Sequence, residues 1–236
     1  LATVTLPYLS RLWANDHKDT FAHTLDWSMK LAVLIAVPAA LGLILLASPF
    51  VTTLFYGDAF GSDKVAMTVI ALQAYAVGLV GFSFVKVLVP AFFAREDTRT
   101  PVRIGIVSLV VNLALGISLA WYLTQAGYAG PHVGLAAATS AAAIINALLL
   151  YRGLHKAGVI RHGRGWGLLL LRVLCANAAM CAVLTVFDRS SSWWFEVANL
   201  QRVGWLMLTV AAGGGVYFLV LAVLGMRFAD FRLKQS

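Results

Sequence analysis

Residues 31–57 read LAVLIAVPAALGLILLASPFVTTLFYG, an uninterrupted apolar run between Lys30 and Asp58. Such a run is longer than the roughly 20 residues that cross the hydrocarbon core as a helix. The whole chain repeats the pattern: 236 residues, 61% hydrophobic, 12% charged, with a mean hydropathy of +0.84. A soluble domain of this size has about a quarter of its residues charged. This chain cannot clothe itself in polar groups, so lipid must cover it, and the expected fold is an all-α polytopic transmembrane bundle.

Gaps between charges mark the spans. The opening run predicts a helix over 29–55, with Pro38 kinking it where a neighbour can satisfy the freed carbonyl, and Pro49 near its outer end. Lys64 to Arg95 predicts a helix over 65–94, interrupted in charge only by Lys86. Arg103 to Arg152 carries no formal charge and is too long for one span. The turn-like TQAGYAGPHVG at 124–134 divides it into helices over 102–124 and 132–154. Two more are expected over 166–187 and 203–226. That makes six full spans. The opening LATVTLPYLSRLW is apolar and lacks the charged start of a signal peptide. It reads as the end of a further membrane helix, a stub over 1–12, and predicts that the chain is the C-terminal part of a longer protein.

Basic residues set the orientation. One set of connections holds Arg11, Lys18, Lys30, Arg95, Arg99, Arg103, Arg152, Lys156, Arg161, Arg164, Arg227, Arg232 and Lys234; the other holds only Lys64, Arg189 and Arg202. Thirteen against three predicts that the richer set, including the basic C-terminal tail, is cytoplasmic. The net charge of +8 therefore reports topology, and no nucleic-acid partner is expected. SSSWWFEV at 190–197 reads as an aromatic anchor at the opposite interface.

Enzyme chemistry finds no purchase. The few acids are expected in loops, and no paired carboxylate, Ser/His/Asp pattern or glycine-rich phosphate loop is present. Cys175 and Cys181, six apart in one apolar segment, point to different sides of a helix and are not expected to pair. No metal site and no cofactor is predicted.

Lys86 is the exception inside the hydrocarbon. It lies nine residues before Arg95, about 13 Å along a helix, near the limit for snorkelling to the surface. It either reaches the interface or faces a wet pathway, and an intramembrane cation is by default a functional candidate.

The blocks LPYLSRL, TLDWSMKLAVLIAVPAALGLILLASPFVTTLFYGDAF, ALQAYAVGLVGFSFVKVLVPAFFAREDTRTPVRI and AVLG before a basic tail together resemble the C-terminal half of the MurJ (MviN) family of lipid II flippases, in the exporter superfamily that includes the MATE drug transporters. The resemblance implies two six-helix lobes followed by two extra helices. On that pattern, residues 13–164 complete a C-terminal lobe and 165–236 carry the two extra helices and the tail. The implied function is moving undecaprenyl-diphosphate-linked peptidoglycan precursor from the cytoplasmic to the outer leaflet of the bacterial inner membrane. The implied partners are lipid II, membrane lipids and an N-terminal lobe. A flippase for another polyprenyl-linked glycan and a MATE-like drug exporter remain open, as does a membrane-embedded lipid-modifying enzyme.

The resemblance places Lys86 among candidate substrate contacts. Arg95, Arg99 and Arg103 flank EDTRTP and could hold the diphosphate or acidic head groups, or only set topology. Asn112, a lone amide in an apolar helix, should hydrogen-bond across helices. It could instead be one ligand of a coupling cation, with Thr139 or Ser140 nearby. Asn146 and Asn177 read as interhelical glue. Arg172 either snorkels or joins the site. Gly213, Gly214 and Gly215 either pack against the preceding helix or line a groove for the lipid tail.

Overall fold

The computed structural model describes residues 2–57, 60–127, 130, 132–160, 163 and 165–226. Its helices are α1 (Ala2–Ala14), α2 (Lys18–Leu45), α3 (Ala47–Phe55), α4 (Ser62–Phe93), α5 (Arg99–Gln125), α6 (His132–Lys156), α7 (Trp166–Val186), α8 (Ser191–Glu196) and α9 (Asn199–Val223). Six of them, α2, α4, α5, α6, α7 and α9, are long and apolar enough to cross a membrane. No strand occurs among the described residues. Arg161, Arg164 and the tail arginines lie outside them.

The first span corrects the expectation of one helix over 29–55. Helix α2 begins at Lys18 and ends at Leu45, and α3 resumes at Ala47. The early start is possible because Asp26 and Lys30 neutralise each other one turn apart, their Oδ2 and Nζ 2.7 Å apart. The break at Leu46 follows from Pro49, whose ring excludes the carbonyl four residues back, that of Leu45. Asp26 also corrects the placement of acids in loops: it sits inside α2, 3% exposed.

Helix α2 is shared by two apolar cores. One gathers Phe21, Leu25 and Met29 of α2 with Leu88 and Phe92 of α4 and Leu150 and Leu154 of α6. The other joins Val33 and Leu34 of α2 to Val173, Ala176 and Met180 of α7 and to Tyr217 and Leu221 of α9. Helices therefore pack in the succession α5, α6, α4, α2, α7, α9. Helix α5 stands at the edge, presenting Leu109, Leu113, Ile117 and Trp121 outward, each more than 60% exposed.

Small residues bring α4 and α6 together. A Cβ at Gly78 would lie 2.5 Å from Ser140 Oγ, and one at Gly81 would lie 2.8 Å from the Ala143 backbone. Farther along, Gly153 lies against Phe92. Residue numbers rise together, so the two helices run parallel. Ser140 Oγ donates to the Ala74 carbonyl at 2.6 Å, which seals the seam with a polar bond in a region where no water competes. Below it an apolar cavity of about 400 Å³ is bounded by Gly81 and Phe84 of α4 and Ala147 and Tyr151 of α6.

Candidate functional site

Lys86 stands on the outward face of α4, exposed, on the same side as Tyr75, Phe82 and Phe93. Helical spacing dictates this: residues 75, 79, 82, 86 and 93 recur at intervals of three, four and seven and form one stripe. The buried positions Gly81, Leu88 and Ala91 fall on the other side. No described residue lies within hydrogen-bonding or ion-pair distance of the ammonium. An unpaired cation on an apolar helix of this length is costly in hydrocarbon unless it meets an anion, water or the interface.

The other candidates are not gathered around it. Arg95 is half-buried, its guanidinium 5.0 Å over the Trp13 ring of α1. Part of its charge is thus engaged in holding α1 to the end of α4. Arg99 and Arg103 are exposed and one turn apart on α5. Like charges at this spacing repel, and cations at a helix N-terminus oppose its dipole. The arrangement gives up helix stability. Asp97 is set between Arg95 and Arg99 and accepts the Thr100 backbone N–H at 3.0 Å. Hydrogen bonds from Thr100, with Arg95 nearby, hold its carboxyl below the usual carboxylate range. The α4–α5 turn is therefore anionic at its tip above that lowered value and loses this brace as pH falls through it.

Asn112 faces α6. The Thr139 hydroxyl is 3.4 Å from Asn112 Oδ1 and also donates to the Leu135 carbonyl at 2.9 Å. Ser140 turns away from it, toward α4. A second bond, Ser108 Oγ to the Ala142 carbonyl at 2.9 Å, ties the same pair of helices. Asn177 bonds within its own helix, to the Val173 carbonyl at 2.7 Å, so it is not the interhelical glue expected of it. Its amide N–H is satisfied one turn back, whereas its Oδ1 is buried with no hydrogen-bond partner among the described residues. Among the described residues no group of three His, Cys, Asp or Glu could hold a metal. Arg172 is half-buried, with Nη2 3.6 Å from where a Cβ at Gly225 would stand. That puts a cation at the C-terminal end of α9, where the helix dipole favours it.

The three glycines divide. Gly213 is buried against α7, where a Cβ would meet Leu184 Cδ2 at 2.7 Å, whereas Gly214 and Gly215 have nothing within 4 Å. Successive helical residues are about 100° apart, so three in a row cannot share a face. Close packing belongs to Gly213 alone. Gly213→Leu is expected to lower the melting temperature in detergent by roughly 2–12 °C, the effect of overpacking by about 1–3 kcal/mol in a chain of this size. Gly214→Leu should leave it unchanged or raise it, because helix propensity improves by up to about 1 kcal/mol with no clash. Equal losses at both positions would contradict this division.

Two constellations were not legible as sites. Asp26 Oδ1 accepts the indole N–H of Trp166 at 2.7 Å, and Oδ2 pairs with Lys30, which in turn lies 5.7 Å over the Trp166 ring. Gly163 adds a backbone N–H. The result is a neutral, fully partnered clasp between α2 and the start of α7. At the other end, Arg202 in the first turn of α9 is 7% exposed. It donates to the Phe195 carbonyl at 3.1 Å and lies 5.0 Å over Tyr56. Trp205 donates to the Phe187 carbonyl at 3.1 Å and carries Arg189 4.4 Å above its ring. The expected aromatic anchor is thus a short helix, α8, fastened to α3 and α9. The tryptophans signalled it, but the helical turn within them did not show.

The model of the family described as lipid II flippase MurJ matches residues 1–203. A probable lipid II flippase MurJ of Vibrio cholerae is 38% identical over 98% of this chain and 43% of its own length. One of Haemophilus influenzae is 34% identical over 96% of the chain and 44% of its own. The lipid II flippase MurJ of Burkholderia cenocepacia is 30% identical over 100% and 45%. The chain therefore spans less than half the length of the curated relatives it matches. A solved structure of a lipid II flippase MurJ in an inward closed conformation shares the fold, with a TM-score of 0.72 and 23% identity over 94% of this chain and 42% of that one.

Proposed function

The chain belongs to the lipid II flippase MurJ family, and from that premise we propose that it forms the C-terminal lobe and two appended helices of a lipid II transporter. A disaccharide-peptide head group with its diphosphate is far too polar to cross hydrocarbon unaided. A cavity between two lobes gives it a polar route while the polyprenyl chain stays in lipid, and rocking of the lobes opens that cavity to each side in turn. In this reading the α4 stripe bearing Lys86 faces the cavity, and the ammonium takes part of the diphosphate charge. Arg99 and Arg103 attract the anionic lipid at the cytoplasmic mouth. The observation that supports this most is Lys86 itself: an exposed cation, with no partner among the described residues, in the last third of a helix long and apolar enough to cross a membrane. The basic connections and C-terminus lie in the cytoplasm, and the membrane is the bacterial inner membrane.

The test is reconstitution of the intact protein into vesicles loaded with lipid II. Head groups should become accessible to an impermeant reagent faster than in protein-free vesicles. In cells, a cysteine at Gly61 should react with an impermeant thiol reagent from outside and one at Thr98 should not. Head groups that stay on their original side would refute the transport reading. Labelling of both cysteines would refute the orientation.

A further inference from the structure

Pro38 lacks an N–H, so the Leu34 carbonyl one turn earlier loses its helical donor. In this chain that carbonyl is not left bare. The hydroxyl of Tyr217, on α9, donates to it at 2.7 Å, across a separation of 183 residues. Tyr217 is 2% exposed and Leu34 7%, so the bond is sealed from water and from lipid head groups. A similar arrangement serves the break at Leu46: Gln73 of α4 donates Nε2 to the Ile44 carbonyl at 3.0 Å. The irregular points of α2 are thus each held by a different neighbour.

We propose that Tyr217 is a positioning residue for transport, latching α9 to α2 one turn before Pro38 so that the α7–α9 pair moves with α2 as one body. The clasp of Asp26 with Trp166 fixes the start of α7 to α2. The Tyr217 bond fixes α9 eight residues farther along α2, about 12 Å at a helical rise of 1.5 Å per residue. Two attachments at different heights stop the pair from pivoting, whereas one would leave it a hinge. Any surface that α7 and α9 offer to a lipid chain is then carried with the lobe when the lobe rocks. The transport part of this inference rests on the function proposed above; the latch itself does not.

A double-substitution cycle in the intact protein separates the two. Tyr217→Phe keeps the ring and removes the hydroxyl, orphaning the Leu34 carbonyl; the melting temperature should fall by roughly 2–6 °C. In a Pro38→Ala background the new N–H of residue 38 takes the carbonyl back, so adding Tyr217→Phe should then have little effect. Equal losses in both backgrounds would overturn the latch, since a ring that merely packs is indifferent to residue 38. Flipping of lipid II in vesicles gives the second readout. Tyr217→Phe should slow flipping roughly three- to tenfold with lipid II affinity unchanged. The double variant should recover stability but not flipping, because α9 is still untied from α2. Recovery of flipping along with stability would make Tyr217 a structural residue only and end the positioning proposal. If the unaltered protein flips nothing, the transport reading fails on its own account, and the melting cycle still decides the latch.

Discussion

Lys86→Met in the intact protein is expected to reduce lipid II flipping by roughly 10- to 100-fold, the factor that corresponds to a charge-assisted hydrogen bond of about 1.5–3 kcal/mol. Lys86→Arg should retain much of the activity, since a guanidinium also binds a diphosphate and reaches a similar distance. Neither change should harm the fold. Lys86 is exposed and touches no described partner, and methionine is more at home in lipid than an ammonium. Expression and melting temperature therefore serve as internal controls. The measurement is the initial flipping rate per folded molecule. A normal rate with Met would mean that the lysine only snorkels to the interface, and the diphosphate contact would have to be sought elsewhere.

The second large effect concerns stability. Asp26→Ala removes in one step the partner of Lys30, of the Trp166 indole and of the Gly163 backbone N–H. Breaking one side of a buried pair typically destabilises by about 3–5 kcal/mol. Lys30 retains 21% side-chain exposure and can relax toward the interface, so about 2–4 kcal/mol is expected here. For a chain of this size that lowers the melting temperature by roughly 5–15 °C. Asp26→Leu combined with Lys30→Leu should recover most of the loss, because the charge left unpaired, more than the missing bond, dominates the effect. A single Asp26→Ala variant that melts with the parent would show that the clasp is incidental.

How much of this was legible in the residues depends on the kind of signal. Hydropathy locates the six apolar helices, since nothing else keeps water out of runs such as 31–57. It places their ends badly where charges cancel internally. Lys30 looked like the edge of a span, yet with Asp26 beside it the helix runs on to Lys18. Pro38 announced both a bend and a neighbour to satisfy the freed carbonyl, but nothing local could say that the neighbour was Tyr217, because that pairing is tertiary. Gly213, Gly214 and Gly215 looked like one surface only while they were read as letters in a row. On a helix they point in three directions, and α7 takes only the first. The basic residues were legible as a class and not as individuals: Arg95 and Arg202 are largely occupied by aromatic rings, whereas Lys86, Arg99 and Arg103 stand exposed.

The parallel seam between α4 and α6 has a consequence for biogenesis. Gly78 meets Ser140, and the chain between them must first run away and return as α5 and α6. At a synthesis rate of about 5–20 residues per second, that interval lasts roughly 3–12 s. Throughout it, the small-residue face of α4 lies in the membrane without its mate, and the serine that will bond to the Ala74 carbonyl has yet to leave the ribosome. The hairpin of α5 and α6 can zip locally as it emerges, with Ser108 and Ala142 as one of its teeth. The nascent chain is therefore most open to chaperoning insertases, to quality-control proteases and to pairing with the wrong helix after α4 has inserted and before α6 arrives.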